Sequence, residues 1–382
     1  LAGHSAPAQA QGIEIRMADE DPGGPPVPGG RLSVLIRLDA TNLDPHTAIE
    51  TSAYVIVEQL YESLLESVNG EIRPAIAESW DISDDGLTYT FHLRRDVQFH
   101  SNPRFTPSRA FNADDVIHSF MRQLDPGHPL HATGTYEYFN STGTARLIAS
   151  IEKIDDYTVA FRLNAPEAPF LANMAMDFAS IMSAEHAEAM TAAGTPDLID
   201  REPVGTGPWV LVDYQQDAVV RYRRHDDYWA GPAAIENLIF AITPDAAVRY
   251  ARLQAGECHV MPYPNPADIP AMQADPSINV LQQEGLNVGY LAFNTEREPY
   301  TDVAVRRALY LAIDKDAILE AVFQGAGTAA VNPIPPTIWS YNYGIEDYPY
   351  DPEAARAALA EAGFPDGFST TIWAMPVQRP YN

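Results

Sequence analysis

Strand-like and helix-like patterns alternate along most of this sequence, and no repeat of about 20–50 residues is visible. Leu32–Leu38 is a short apolar run of strand-forming residues, whereas Val55–Leu65 places its apolar residues at helical spacing. Thr88–Leu93 alternates with period two after the turn-forming Asp84–Gly86, which predicts a hairpin. The pattern excludes a solenoid or propeller and predicts a mixed α/β protein. Its 382 residues indicate two or three domains.

The C-terminal part of the sequence predicts one half of a further α/β lobe. Two predicted strands flank three predicted helices there: strand Val288–Phe293, helices Val303–Ile313 and Asp316–Phe323, a helix capped at Asp351 and ended by Gly363, and strand Ser369–Trp373. A sheet with so few strands has an open, unpaired edge. We therefore expect the natural protein to continue beyond Asn382 with the rest of this lobe.

The charge of the chain excludes some classes of partner. It has 52 acidic and 24 basic residues, a formal net charge of −28. This balance argues against binding to nucleic acid and against docking on an anionic lipid surface. No run of about 18 apolar residues predicts a membrane span. Only Lys153 and Lys315 are lysines, which leaves two interpretations open: a protein kept soluble in salt or outside the cell, or an arginine-rich codon bias.

The N-terminal 31 residues are predicted to lie outside the folded domains. Ala8-Gln9-Ala10 has the A-x-A form of a signal-peptidase site, so we interpret Leu1–Gln11 as the tail of an export signal that is removed. An unrelated alanine-rich tail is the alternative. Asp19–Gly30 is rich in proline and glycine, which is typical of an exposed linker.

Motifs for catalysis or metal binding are weak in this sequence. No G-x-S-x-G motif is present, and Gly205–Pro208 lacks the spacing and the lysine of a phosphate-binding loop, so it predicts a structural turn. His128 and His131 are close in sequence, but their loop-like surroundings favour surface histidines over metal ligands. Cys258 is the single cysteine, and a buried structural thiol is favoured over a catalytic one.

Two features allow either a binding role or an ordinary structural one. Arg379 follows the predicted strand Ser369–Trp373, at the end where α/β sheets bind ligands, and is suited to bind a carboxylate through two hydrogen bonds. A solvated surface arginine is the alternative. Aromatic residues are frequent in the loop-like Tyr136–Phe139 and Trp339–Tyr350. They either line a cleft for an apolar or peptide ligand or pack beneath long loops.

Six segments resemble the peptide/nickel branch of the extracellular solute-binding proteins of ABC transporters. They are Ala77–His100 (AESWDISDDGLTYTFHLRRDVQFH), Asn112–Val116 (NADDV), Gly205–Trp209 (GTGPW), Ile242–Ala267, Gly285–Asn294 (GLNVGYLAFN) and Trp373–Asn382 (WAMPVQRPYN). The resemblance extends from about Gly30 to Asn382 and is strongest to the dipeptide-binding group. It implies a two-lobed, type II-like clamshell: lobe I at 32–285 with an inserted subdomain at about 65–200, and the first half of lobe II at 286–382.

The resemblance also implies the residues that bind the ligand. In the dipeptide-binding group the arginine of the QRPY motif binds the peptide carboxylate, so Arg379 takes this role, beside Pro380 and Tyr381. Thr51, in the loop after the Asp-Pro turn, is a weaker candidate. Tyr136 lies in a stretch like the family's cleft-facing Tyr-Glu-Tyr-Phe. The aspartate that binds the ligand ammonium is expected beyond Asn382. The family often pairs the cysteine at the Cys258 position with one in the first strand, which has none here, so we expect a free thiol.

The implied function is peptide capture for import. A dipeptide or similar short peptide is held between the lobes by its termini, and the closed protein docks on the permease subunits of an ABC transporter. We expect a monomeric, periplasmic protein that is not an enzyme and uses no metal, cofactor or nucleic acid. The same fold with haem, 5-aminolevulinate, an opine or a nickel chelate as ligand is the alternative. A secreted hydrolase is the most distant alternative, because no motif supplies a nucleophile and base.

Overall fold

The computed structural model describes residues 29–374, except residues 284, 326 and 339. Of these residues, 29–262 form one compact unit and 263–374 form another. The division falls after Pro262, before the lobe boundary that the sequence predicts at 285. The boundaries of the lobes and of the inserted subdomain stay predictions.

The strands are β1 (Arg31–Ile36), β2 (Leu65–Val68), β3 (Glu71–Pro74), β4 (Ala77–Ile82), β5 (Thr88–Leu93), β6 (Ile148–Asp155), β7 (Thr158–Leu163), β8 (Trp209–Gln215), β9 (Val219–Arg224) and β10 (Asn237–Ile242). The helices are α1 (Thr51–Val57), α2 (Ala113–Leu124), α3 (Glu137–Ser141), α4 (Thr144–Leu147), α5 (Phe170–Asn173), α6 (Ala184–Ala192), α7 (Ala246–Gln254), α8 (Ile269–Ala274), α9 (Val303–Leu311), α10 (Lys315–Ile318) and α11 (Pro352–Glu361). Short 3₁₀ turns occur at His131–Thr133, Asp177–Ala179, Pro196–Asp200 and Pro266–Asp268, and a π turn at Leu319–Phe323.

The first sheet of the 29–262 unit has the strand order β1-β10-β9-β8. β1 runs parallel to β10, and the other neighbours are antiparallel. Alternate residues of these strands, such as Val34, Phe240 and Tyr222, face a core that also receives the buried side of α1. β1, the first described strand, thus pairs with a strand some 200 residues later, and the second sheet lies between them in the sequence.

The second sheet has the order β4-β5-β7-β6 and is antiparallel throughout. Its own core contains Phe91, Phe161 and, from α2, Phe120. The predicted hairpin between β4 and β5 is confirmed, with its turn at Ser83–Gly86. The sheet lies inside the range predicted for the inserted subdomain. α2 packs against β6 and β7 of this second sheet.

Gly205–Pro208 forms the bend that leads into β8, as the sequence predicts. The N–H of Gly207 donates to the carbonyl of Leu60 at 2.9 Å. A Cβ atom at Gly205 would lie 2.0 Å from the same carbonyl oxygen. The hydroxyl of Thr206 donates to the carboxylate of Glu62 at 2.8 Å. The bend therefore attaches the residues that follow α1 to the strand β8 of the first sheet. It needs glycine at position 205 because its backbone lies against the Leu60 carbonyl.

The 263–374 unit contains α8 to α11, with α9 against α11. The predicted strands Val288–Phe293 and Ser369–Trp373 are wrong for this structure, because neither segment has a ladder partner among the described residues. A strand needs such a partner for its backbone groups. No helix among residues 29–374, where described, is long and apolar enough to cross a membrane.

Candidate functional site

The turn after β1 is organised by Asp44, which the sequence identifies only as part of a strand-breaking Asp-Pro pair. Its carboxylate accepts a hydrogen bond from the N–H of His46 at 3.0 Å, and its carbonyl accepts one from the N–H of Ala48 at 3.0 Å. The hydroxyl of Tyr54 donates to the carbonyl of Ala48 at 3.0 Å. These contacts fix the backbone from the turn to α1, whose first residue is the exposed Thr51.

Arg122 of α2 forms an ion pair with Asp44 in the interior of this unit. Its Nη1 donates to Oδ1 of Asp44 at 3.0 Å, and its Nη2 donates to Oδ2. Both residues are buried, at 1% and 3% exposure. Burial favours a raised pKa for the Asp44 carboxyl, but the charge and hydrogen bonds of Arg122 outweigh it and lower that pKa. The pair is therefore ionised at neutral pH and links α2 to the Asp44 turn.

His46 completes the buried cluster in its neutral form. Its Nε2 lies 2.8 Å from the carbonyl oxygen of Ser180, and its Nδ1 lies 3.3 Å from Nη1 of Arg122. A carbonyl only accepts and a guanidinium only donates, so Nε2 carries the proton and Nδ1 does not. Burial and the charge of Arg122 lower the pKa of His46 to about 4, against the weaker opposing effect of Asp44.

The segment that carries Tyr136 is attached to the same cluster. Arg122 donates to the hydroxyl of Thr133 at 3.1 Å. The Tyr136 hydroxyl donates to the carbonyl oxygens of Leu130 and His131 at 3.2 and 2.9 Å. The guanidinium of Arg122 lies 5.7 Å from the centre of the Tyr136 ring. Tyr136 is only 3% exposed, so in this structure its ring is buried in the unit and its hydroxyl holds the backbone of Leu130 and His131.

A close approach between Gly134 and Thr47 joins the two segments directly. A Cβ atom at Gly134 would lie 2.3 Å from Cγ2 of Thr47, a distance that real side chains do not tolerate. The absence of a side chain at Gly134 therefore lets the loop before Tyr136 pack on the Asp44 turn.

The predicted ligand-binding residues have different outcomes. Arg122, Asp44 and His46 together form what we call the Arg122 cluster. Thr51 and Tyr136 both belong to segments held by this cluster, but their contact with a ligand stays a prediction. Arg379, Pro380 and Tyr381 lie outside the described residues, so their predicted role is untested. The sequence reasoning missed Arg122, Asp44 and His46 as a cluster.

No group of three or more histidine, cysteine or acidic side chains suited to a metal ion occurs within the described part of the chain. His128 lies against His118, with ring centres 4.8 Å apart, and Nδ1 of His131 donates to the carbonyl of Arg122 at 2.9 Å. His131 thus supports the Arg122 cluster, while Cys258 is a free, buried thiol, as the sequence predicts.

Comparison with protein-family models matches residues 71–381 to the bacterial extracellular solute-binding proteins, family 5. A dipeptide-binding protein of Escherichia coli is 55% identical over 327 residues, covering 85% of this chain and 61% of that protein. A heme-binding protein A of Haemophilus influenzae is 54% identical over 343 residues, covering 88% and 63%. The chain thus spans less than two thirds of the length of these relatives.

A solved structure gives the same picture of the fold. The dipeptide-binding protein from Pseudoalteromonas sp. SM9913, in complex with Met-Leu, matches with a TM-score of 0.87 and 40% identity. The match covers 92% of this chain and 71% of that one. The predicted two-lobed α/β fold of periplasmic binding proteins is confirmed by this likeness and by the family match.

Proposed function

We propose that this chain, which belongs to family 5 of the bacterial extracellular solute-binding proteins, is the substrate-binding component of a dipeptide ABC importer. The observation that carries the proposal is 55% identity to a dipeptide-binding protein over 85% of the chain. The likeness to a solved dipeptide complex supports the same ligand class. In this role the protein captures short peptides outside the cytoplasm and delivers them to membrane permease subunits.

The proposed chemistry is capture of the peptide by its charged ends, without turnover. The guanidinium of Arg379 donates two parallel hydrogen bonds to the ligand carboxylate, with Pro380 and Tyr381 beside it. Thr51 and Tyr136 are further proposed contributors, Tyr136 by supporting the surrounding backbone. Recognition of the termini leaves the peptide side chains free, so one site accepts many sequences when water fills the unused volume.

The Arg122 cluster supports this proposal by holding the segments that carry Thr51 and Tyr136 rigidly together. Arg122 holds Asp44 and Thr133 at once, so the loop before α1 and the loop before α3 cannot move apart without exposing a buried charge. A rigid, preorganised pair of segments lowers the entropic cost of ordering side chains around a small ligand.

Haem is a second candidate ligand, favoured by one specific observation. A heme-binding protein A is 54% identical over 88% of the chain, nearly the same likeness as the dipeptide-binding relative. 5-Aminolevulinate, an opine or a nickel chelate are further ligand classes for this fold. Identity alone does not separate the dipeptide from haem, so the test must compare ligands.

Isothermal titration calorimetry of the full chain with Ala-Ala, C-terminally amidated Ala-Ala and haem separates these candidates. We expect saturable binding of Ala-Ala and at least a tenfold loss on amidation, because the amide removes the negative charge that Arg379 binds. Arg379→Ala should produce the same loss. Arg356→Ala is the matched control, since this α11 arginine is exposed and, among the described residues, forms its ion pair with the likewise exposed Glu353.

Binding of haem with no response to any dipeptide would overturn the proposal in favour of the second candidate. Equal binding of the free and amidated peptide would remove Arg379 from its role while leaving peptide capture intact. Recovery of unchanged dipeptide after long incubation with the protein is expected for a binding protein, and release of free alanine would instead indicate a hydrolase.

A further inference from the structure

A cavity of about 480 Å³ lies on the face of the first sheet that is turned away from the α1 core. Ser33, Ile239 and Arg221 lie in one row across β1, β10 and β9, because Ser33 pairs with Ile239 and Ile239 with Arg221. Side chains alternate between the faces of a sheet, so Arg31, two residues before Ser33, lies on this face too. Strand geometry thus puts two arginines at the same cavity.

A third arginine reaches the cavity from α7. Arg252, in the last turn of that helix, donates from Nε to the carboxylate of Glu257 at 3.1 Å and from Nη1 to the hydroxyl of Thr243 at 2.7 Å. On the opposite side, Nη1 of Arg221 donates to Asp213 at 2.5 Å. These partners orient both guanidiniums and leave each with further N–H groups.

The lining of this cavity carries an excess of positive charge, in contrast to the rest of the chain. Three arginines and one carboxylate, that of Glu257, face it, whereas the whole chain has a net charge of −28. Arg31 forms no ion pair with any described residue. Cys258 also lines the cavity, and burial raises the pKa of its thiol, so it adds no negative charge at neutral pH. Arg252 pairs with Glu257 and Arg221 with Asp213, so the charge of Arg31 is the one that no described carboxylate balances.

We propose that this cavity binds a multivalent oxyanion, namely a phosphate group, either free or carried by a small organic molecule. Guanidinium groups bind tetrahedral oxyanions through parallel, charge-assisted hydrogen bonds, and this cavity is lined by three arginines that come from two strands and a helix. Ser33 and Gln215 add neutral polar groups to the lining. This proposal does not depend on the peptide capture proposed above, which relies on Arg379.

Isothermal titration calorimetry of the full chain at low ionic strength tests the proposal, with inorganic phosphate and glycerol 3-phosphate as probes and chloride as the blank. We expect saturable binding of one anion per chain that weakens with added salt. Tighter binding of glycerol 3-phosphate would identify an organic phosphate as the source, and equal binding would identify free phosphate.

Arg31→Gln should weaken phosphate binding about tenfold, because it removes the guanidinium that pairs with no described carboxylate. This residue is exposed at the first position of β1, so the fold should survive its loss. Arg221→Gln should also weaken binding. Arg73→Gln is the matched control, since it removes the same charge from β3, where Arg73 pairs with Glu71 outside the cavity.

Three results would overturn the proposal. The first is no saturable heat from either phosphate probe. The second is wild-type affinity in both Arg31→Gln and Arg221→Gln, with melting curves that show both variants folded. The third is an equal loss of affinity in Arg73→Gln, which would indicate a long-range charge effect instead of a site.

Discussion

Arg122 and Asp44 are 78 positions apart in the chain and form a doubly hydrogen-bonded, fully buried ion pair. The pair joins α2, which packs on the second sheet, to the turn that follows β1 of the first sheet. An ion pair without water contact is costly to form and still more costly to break on one side only, because the remaining charge stays buried. Loss of Arg122 alone would therefore leave the Asp44 carboxylate buried without its ion-pair partner.

Arg122→Ala should lower the free energy of unfolding by about 3–5 kcal/mol, because it leaves the Asp44 carboxylate buried without a partner. Urea denaturation followed by circular dichroism measures the change. The matched surface variant Arg73→Ala breaks an exposed pair with Glu71 and should leave stability nearly unchanged. Similar losses in the two variants would contradict the importance of burial.

The double variant Arg122→Ala with Asp44→Ala checks the cause of that loss. If the unpaired carboxylate is responsible, removing Asp44 as well should restore part of the stability lost in Arg122→Ala. A double variant as unstable as the sum of the two single variants would instead attribute the loss to cavity formation alone.

Stability should decrease between pH 7 and 4.5 because of His46. Its pKa in the folded protein is about 4, below the ordinary 6.5, so the unfolded chain binds the proton more readily across this window. The stability from neutral His46 is complete above pH 6.5 and is lost as the pH falls toward 4. We expect a loss of about 2 kcal/mol from this residue at pH 4.5.

Urea denaturation at several pH values, compared between wild type and His46→Gln, isolates this contribution. Glutamine keeps a donor for Ser180 and an acceptor for Arg122 but does not titrate. Its stability should therefore fall less steeply on acidification. His92→Gln, at an exposed pair with Asp81, is the control, and a wild-type pH slope in His46→Gln would contradict the assignment.

Some local structure was predictable from the sequence, although the helical spacing of Val55–Leu65 is matched only in part, because α1 ends at Val57 and β2 begins at Leu65. The Asp84–Gly86 turn signal and the period-two pattern of Thr88–Leu93 predicted the β4–β5 hairpin, because both depend on residues close in the chain. The single cysteine predicted a free thiol by simple counting. The family resemblance supplied the two-lobed fold, which no local pattern specifies.

Long-range pairings were not predictable in the same way. Arg122 stands at a buried position of α2, and nothing in the sequence indicates which of 52 acidic residues is its partner. The charged cavity was not predictable for the same reason, since the β1-β10-β9 register is what places Arg31 and Arg221 on the same face of the sheet. Val288–Phe293 has a strand pattern, but strand formation needs a neighbouring strand as well as a pattern.

Asp177 should destabilise the folded protein at every pH above about 6. Burial raises its pKa to about 6, so ionising it costs more in the folded than in the unfolded protein. The penalty is absent below about pH 4, grows as the pH rises toward 6, and is constant above. Asp177→Asn should therefore raise the free energy of unfolding by about 1 kcal/mol at pH 8, after allowance for solvent screening, and by little at pH 4.

Thermal unfolding of wild type and Asp177→Asn at pH 4 and 8 measures this difference. Asp84→Asn removes one carboxylate from the exposed turn after β4 and controls for net charge. A gain in Asp84→Asn as large as that in Asp177→Asn would attribute the effect to the overall acidity of the chain. A gain at pH 4 equal to that at pH 8 would exclude ionisation as the cause.

Gly205→Ala should be among the most damaging single-methyl additions in this chain. The new Cβ would lie 2.0 Å from the backbone carbonyl oxygen of Leu60, and neither backbone can retreat without breaking the Gly207–Leu60 hydrogen bond. We expect a loss of about 3 kcal/mol or more in the free energy of unfolding. Gly285→Ala is the matched control, because its nearest neighbour would be 3.8 Å away, an ordinary contact. Denaturant unfolding measures both variants, and equal stability of the two would show that the bend before β8 relaxes more easily than its contacts indicate.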